Sequence, residues 1–193
     1  MKESICWIET VDESSADASL STIYNRVRGA NGQLDNLYQD FSLRPHTILP
    51  ADDLYLAALH HESNTLPKQF SELIGTYVAI LSGCQYARAH HGENYVHLSA
   101  DKVSATTVLE KLESGDLQSS GTSREIAALA YVRKLCREPE NLYRADIEVL
   151  LQQGWNDGEI LEIVQVVAMF SYFVRVINGV GIQLGDEKLG LYD

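Results

Sequence analysis

The stretch from Asn156 to Gly179 constrains the fold more than any other part of this 193-residue chain. Asn156 and Glu159 have the spacing of a capping box, which starts a helix, and Asn178 with Gly179 is a fitting helix end. Between these signals, residues 160–177 are too apolar around the helix circumference for a surface helix. We therefore expect this helix to be either central in the fold or packed against another subunit.

Helical periodicity also dominates the rest of the chain, and strand signals are scarce. Thr122 and Glu125 form another capping box, and Leu66-Pro67 places a proline in a first helical turn. The sequence therefore predicts an all-α protein, a helical bundle of about seven helices. The predicted helices cover residues 16–27, 51–60, 66–81, 84–98, 122–137, 141–152 and 156–177.

Composition excludes several classes of function. The net charge is −12, with 27 acidic and 15 basic residues, and no basic stripe offers a surface for phosphate backbones. Three cysteines at positions 6, 84 and 136 are too few and too scattered for a disulfide framework. The N-terminus lacks a signal-peptide pattern, and polar residues interrupt the apolar run at 160–180. We therefore predict a cytoplasmic protein that binds neither nucleic acid nor membrane.

The segment around Cys84 carries the most chemistry. Cys84 follows Ser82-Gly83, which places it in the first turn of a new helix. Unpaired amide groups and the positive end of the helix dipole gather there, and both favour a thiolate. Arg88 lies one helical turn further along the same face. We therefore expect the Cys84 thiol to be more acidic than a free thiol.

His91 and Glu72 are the two further candidates for the same site. His91 lies two helical turns after Cys84, roughly 10 Å along the axis, so a water or a substrate would have to bridge the two side chains. Glu72 lies twelve residues before Cys84 and comes near only if the chain folds back. Two plainer interpretations stay open: Cys84 as a small buried core residue, and His91 as a helix histidine bonded to a backbone carbonyl.

The order and spacing of these residues resemble the motif of the alkylhydroperoxidase D-like proteins, within the wider carboxymuconolactone decarboxylase-like group. The closing helix, from Glu159 to Gly181, is similar to that of the "peroxidase-related" branch of the family. The resemblance covers about residues 40–185. It implies a single all-helical domain over residues 1–193, with the family-like core at 40–185, a helical extension at 1–39, and assembly into a homodimer or a higher oligomer.

The resemblance also implies roles for individual residues. Glu72 corresponds to the relay carboxylate, Cys84 to the first motif cysteine and His91 to the relay imidazole. One departure matters, because Ala87 stands where the dithiol form has its second cysteine, and that cysteine usually attacks the peroxide. Tyr86 stands where some members place a histidine. The further residues predicted to line the site are Arg88, Tyr86, Ala87 and His90.

Three functions remain open at this point. The first is a thiol-dependent hydroperoxide reductase-like antioxidant protein, which needs an external thiol reductant and no cofactor besides its redox-active thiol. The second is a lactone decarboxylase-like acid–base enzyme, in which His91 moves the proton and Arg88 binds a substrate carboxylate. The third is a non-catalytic oligomeric binding protein whose motif has decayed.

The polar residues of this helix offer one arrangement that could bind a metal. His90, Asn94 and His97 share a helix face at the spacing that a metal would need. A solvated polar face explains them better, so no metal is predicted.

Overall fold

The computed structural model describes residues 5–29 and 32–191. These residues contain nine α-helices and no strand, which confirms the all-α prediction. The prediction that the N-terminus lacks a signal sequence concerns mainly residues 1–4, which lie outside the described residues. The helices are α1 (Ala18–Val27), α2 (Asn36–Asp40), α3 (Ile48–Tyr55), α4 (Lys68–Leu81), α5 (Gln85–His97), α6 (Lys102–Ser114), α7 (Ser123–Arg137), α8 (Arg144–Gln152) and α9 (Asp157–Val180).

Helix α4 lies at the centre of the core. Every residue from 70 to 79 is buried, and the helix packs against α5, α7 and α9. Gly75 permits the closest of these contacts, because a Cβ atom at this position would overlap the ring of Phe170 on α9. The missing side chain therefore sets how closely α4 and α9 approach.

Helix α9 is the long apolar helix expected from the sequence. Its capping box between Asn156 and Glu159 forms as predicted, and Gly181, in the left-handed conformation, ends the helix. Within residues 5–29 and 32–191 it is the one helix long and apolar enough to cross a membrane by length and composition, so the prediction that polar residues interrupt it too often is wrong. Half of its most apolar stretch is buried against the rest of the protein. Of the two expected positions, the structure shows the central one.

Helix α6 is absent from the sequence prediction. Asp101 caps its start by accepting a hydrogen bond from the amide of Ser104, and Gly115, with a φ of 83°, ends it. Only Ala105, Leu109 and Leu112 of its thirteen residues are buried. The apolar pattern is therefore too sparse for its periodicity to be read from the sequence.

A short turn folds α5 back along α4. Ser82 and Gly83 form the turn, Gly83 adopts a φ of +63°, and the amide of Cys84 donates to the carbonyl of Ala79. A left-handed φ favours glycine because it has no Cβ. This turn places the middle of α5 beside the first half of α4, which the sequence alone did not establish.

The residues after α9 return across the molecule as an extended segment, here called the C-terminal strap (residues 183–191). The side-chain amide of Asn36 donates to the carbonyl of Gln183 at 2.9 Å, and the amide of Lys188 donates to Oε1 of Gln33 at 2.8 Å. The amide of Leu191 then donates to Oδ1 of Asn94 on α5 at 2.7 Å. The strap thus ties α2 to α5.

Candidate active site

Glu72 and His91 form the closest polar pair in the interior of the helical hairpin. Oε2 of Glu72 lies 2.7 Å from Nδ1 of His91. The Glu72 carboxylate is almost fully buried, while His91 keeps 14% of its side chain exposed. Because Nδ1 is engaged by the carboxylate, Nε2 is the ring nitrogen that remains for a substrate. The structure therefore brings together two of the three predicted catalytic residues.

Asn94 extends this pair into a network. Its side-chain amide donates to Oε1 of Glu72 at 3.2 Å, one helical turn from His91. Its carbonyl oxygen accepts from the amide of Leu191, so the orientation of the carboxamide is fixed by the strap. Glu72 thus has a partner on each oxygen, as a buried carboxylate requires.

His91 faces a cavity of about 220 Å³. Its walls come from the end of α1 and the loop after it, from α2, α3, α5 and α9, and from the end of the C-terminal strap. The lining is mostly apolar and aromatic, with a few polar groups directed inward, which is the usual character of a small-molecule site. The lining includes Asp35, Tyr38, Asp52, Tyr55, Ala87, His91, Phe170 and Phe173.

Cys84 lies elsewhere. It is the N-cap residue of α5, as its position after Ser82-Gly83 predicted, but only 1% of its surface is exposed. Burial raises the pKa of its thiol, and hydrogen bonds from the amides of Ala87 and Tyr86 only partly oppose this. The prediction of an unusually acidic thiol is therefore wrong, because the cost of desolvating a thiolate exceeds the benefit of the helix terminus.

Arg88 does not serve the thiol in the way the sequence suggested. Its Nε donates to Oε1 of Glu113 on α6 at 2.6 Å, and the two side chains form a half-exposed ion pair. Cys84, Arg88 and Glu113 line a second cavity, and His91 does not line it. The predicted carboxylate-binding role of Arg88 beside His91 does not fit this geometry, because the two residues face different cavities.

The other three predicted lining residues lie at the same cavity as His91. Tyr86, Ala87 and His90 all line the His91 cavity. Ala87 lies one turn before His91, so the position that holds the second cysteine in the dithiol form here presents only a methyl group. Nε2 of His90 lies 3.3 Å from Oε1 of Glu187 on the strap, so His90 contacts a different carboxylate from the one that His91 contacts.

Several cavity residues were not identified from the sequence. Phe170 and Phe173 belong to the helix that was expected to be central or packed against another subunit, and both residues line the cavity. The rings of Phe170 and His91 meet edge-on, with their centroids 4.5 Å apart. Tyr55 stands between His91 and Phe173. The spacing of Phe170 and Phe173 on one face of α9 was a usable signal, but no local pattern marks Tyr55.

His60 is a further group at this cavity. Its Nε2 lies 3.0 Å from the hydroxyl of Tyr55, and the residue lines the cavity. Burial lowers the pKa of His60, and the negative charge of Glu72 partly opposes this. Burial also raises the pKa of Asp35, against a hydrogen bond from Gln33 and the charge of His90. The cavity therefore perturbs both of these groups toward their neutral forms.

Two solved structures that this chain resembles are peroxidase-related proteins. One, from Ralstonia eutropha JMP134, is described as an alkylhydroperoxidase AhpD core; it matches with a TM-score of 0.82 and 19% identity over 95% of this chain and 94% of its own. The other, from Silicibacter sp. TM1040, matches with a TM-score of 0.79 and 21% identity over 94% of this chain and 93% of its own. This chain has the alkylhydroperoxidase D-like fold.

A third AhpD-like match carries a different activity in its name. A variant of the debrominase Bmp8, in complex with 2,3,4-tribromopyrrole, matches with a TM-score of 0.69 and 15% identity over 96% of this chain and 94% of its own. No protein-family model and no curated protein sequence matches this chain. The AhpD-like fold thus occurs with more than one named activity, so the function has to be argued from the site itself.

Proposed function

We propose that this protein is an acid–base enzyme that transfers a proton to and from a small organic substrate, as in an isomerisation or a decarboxylation. One observation carries the proposal: the paired Glu72 and His91 lie at the wall of a largely apolar cavity, and Ala87 is the residue beside them. A histidine base held by a buried carboxylate at the wall of such a cavity is an arrangement suited to proton abstraction.

The chemistry follows from the hydrogen bonds. When Nδ1–H of His91 donates to Glu72, Nε2 carries the lone pair and removes a proton from a carbon next to a substrate carbonyl. The electron pair of the broken C–H bond moves onto the carbonyl oxygen and gives an enolate. The imidazolium is stabilised by Glu72 until it returns the proton to the same or a neighbouring carbon. Asn94 keeps Glu72 in position through both half-reactions.

Deuterium exchange tests this role directly. Acetophenone and its 2-dimethylamino derivative both carry acidic protons next to a ketone, and their exchange in D2O is followed by proton NMR. We expect the protein to accelerate exchange with at least one of the two ketones. His91→Ala should reduce this rate by about 10²–10⁴-fold, whereas Cys84→Ser should leave it unchanged. No acceleration by the wild-type protein, or equal rates in wild type and His91→Ala, would overturn the proposal.

A second candidate function is the thiol-dependent reduction of hydroperoxides. One observation favours it: Cys84 and Arg88 line the same cavity, and the backbone amides of Tyr86 and Ala87 donate hydrogen bonds to the Cys84 sulfur. The thiolate would attack the peroxide oxygen, giving an alcohol and a sulfenic acid, and an external dithiol would reduce that acid. Cumene hydroperoxide turnover with dithiothreitol that is lost in Cys84→Ser and kept in His91→Ala would favour this candidate over the first.

A further inference from the structure

We infer that the His91 cavity binds a small hydrophobic organic cation, an arylalkylamine in size, with Asp52 and Asp35 as its counter-charges. This inference names the substrate class of the proposed active site and rests on that proposal for its catalytic meaning. Binding itself depends only on the cavity, so it can be measured whether or not proton transfer occurs.

Asp52 provides the first argument. Asp52 lines the cavity, and only 8% of its surface is exposed. Its Oδ1 accepts a hydrogen bond from the Tyr38 hydroxyl at 2.6 Å. Among the described residues, no group donates a hydrogen bond to its other oxygen, and no cation pairs with it. A buried carboxylate that lacks a positive partner is costly, so a cationic ligand in this cavity would be stabilised.

Tyr38 cannot supply the missing charge. Burial raises the pKa of its phenol, and the hydrogen bond to Asp52 raises it further. Tyr38 therefore stays a neutral hydrogen-bond donor to Asp52. Asp35, whose carboxylate accepts from Gln33 at 2.9 Å, is a second acidic group of the same cavity. Burial raises the pKa of Asp35, and a cationic ligand beside it would oppose this shift and favour the carboxylate.

The two arginines among the described lining residues already form ion pairs with carboxylates of the protein. Arg26 pairs with the exposed Asp53 at 3.0 Å. Arg28 pairs with Glu13 and donates to the carbonyl of Gly32. An anionic substrate would therefore meet two carboxylates without an uncommitted guanidinium among the described lining residues. The overall charge of −12 acts in the same direction.

The aromatic walls suit the rest of such a ligand. Tyr55 lies one turn after Asp52 on α3, and its ring meets Phe173 edge-on with centroids 6.3 Å apart. Aromatic faces attract organic cations, and a carboxylate beside them would fix the position of the ammonium group. The volume of about 220 Å³ is below the roughly 300–1,000 Å³ of sites for drug-sized ligands. A ligand with a single ring and a short amine chain fits this size.

Isothermal titration calorimetry with three probes of nearly equal shape tests the inference. The probes are 2-phenylethylamine, 2-phenylethanol and 3-phenylpropanoate, and the protein is the full-length chain at neutral pH. We expect the amine to bind at least about tenfold more tightly than the alcohol and the carboxylate to bind most weakly. Equal affinities for the amine and the alcohol would show an apolar site only and would overturn the inference, as would no detectable binding of the amine.

Variants assign the effect to the cavity carboxylates. Asp52→Asn keeps the shape and the hydrogen bond from Tyr38, and it should weaken amine binding about tenfold while leaving the alcohol unaffected. Asp35→Asn should act in the same direction. Asp157→Asn, which changes an exposed aspartate at the start of α9 that does not line the cavity, is the matched control and should bind the amine like wild type. Unchanged amine affinity in both cavity variants would contradict the inference. Amine binding that survives in His91→Ala separates this inference from the proposed function.

Discussion

Glu72 and His91 are nineteen positions apart in sequence, yet Oε2 of one lies 2.7 Å from Nδ1 of the other across the α4–α5 hairpin. The hairpin turn at Gly83 creates this contact, and Asn94 together with the end of the C-terminal strap fixes the carboxylate. Proton transfer at the cavity that His91 lines is the chemistry that we propose for this pair.

Glu72→Gln is expected to reduce deuterium exchange of the ketone probe about 10²-fold or more, because the imidazolium would lose its stabilising charge. The measurement is the NMR exchange rate at saturating protein. Glu113→Gln, which changes a carboxylate on α6 at the other cavity, should exchange like wild type. A Glu72→Gln variant that is folded and fully active would contradict the role assigned to this pair.

Gly75→Ala is expected to lower the free energy of unfolding by about 1–3 kcal/mol, because the added methyl group overlaps the ring of Phe170 and overpacks the α4–α9 contact. Urea denaturation measures the change. Gly179→Ala is the matched control: it lies in α9 with open space around it, so alanine should be neutral or stabilising there. Equal effects at the two glycines would show that the contact with Phe170 does not matter.

Cys84 should react slowly with iodoacetamide. Its raised pKa and its burial both reduce the thiolate that is available at neutral pH. We expect labelling at Cys84, located by peptide mass spectrometry, to be at least about tenfold slower than that of N-acetylcysteine at the same pH. Labelling faster than the free thiol would restore the acidic cysteine that the sequence suggested.

Stability should depend on pH through His60. Its pKa is lowered in the folded protein, so the unfolded chain binds a proton more readily. The folded state therefore keeps its full stability at pH values above the unfolded-state pKa of 6.5. As the pH falls through and below that pKa, protonation of His60 in the unfolded chain lowers the free energy of unfolding. We expect the loss of unfolding free energy between about pH 7.5 and pH 5.5 to be smaller in His60→Gln than in wild type.

His46→Gln provides the comparison for this pH experiment. His46 is exposed and lies away from the cavity residues, so its loss should leave the pH dependence as in wild type. If His60→Gln and His46→Gln both follow the wild-type curve, burial of His60 is not coupled to stability.

Much of the fold could be predicted from local signals. The capping boxes at Thr122 and Asn156 form as their spacing indicated. The apolar circumference of α9 indicated a helix that is either central or packed against another subunit, and nine of its residues are buried within the chain. Helix α6 could not be predicted in this way, because its few buried residues leave no clear periodicity. The predicted oligomer, the cytoplasmic location and the external reductant stay predictions.

The site was predictable only in part, because its chemistry depends on tertiary packing. The resemblance named Glu72 and His91 as relay residues, and the structure brings these two side chains together, while their roles stay predictions. Burial raises the pKa of Cys84, and its position at a helix start does not reveal that burial. Asp35 and Asp52 lie on separate elements, and both line the cavity through the packing of α2 and α3 on α1. No spacing in the sequence indicates such a convergence.

Chemical rescue is the most direct test of whether His91, held by Glu72, transfers the proton. His91→Ala removes the imidazole and leaves a space at the cavity wall, which free imidazole can occupy beside Glu72. The account predicts that deuterium exchange of the ketone probe is lost in His91→Ala and is restored, with saturation, by added imidazole. Wild-type exchange in His91→Ala without imidazole would contradict it.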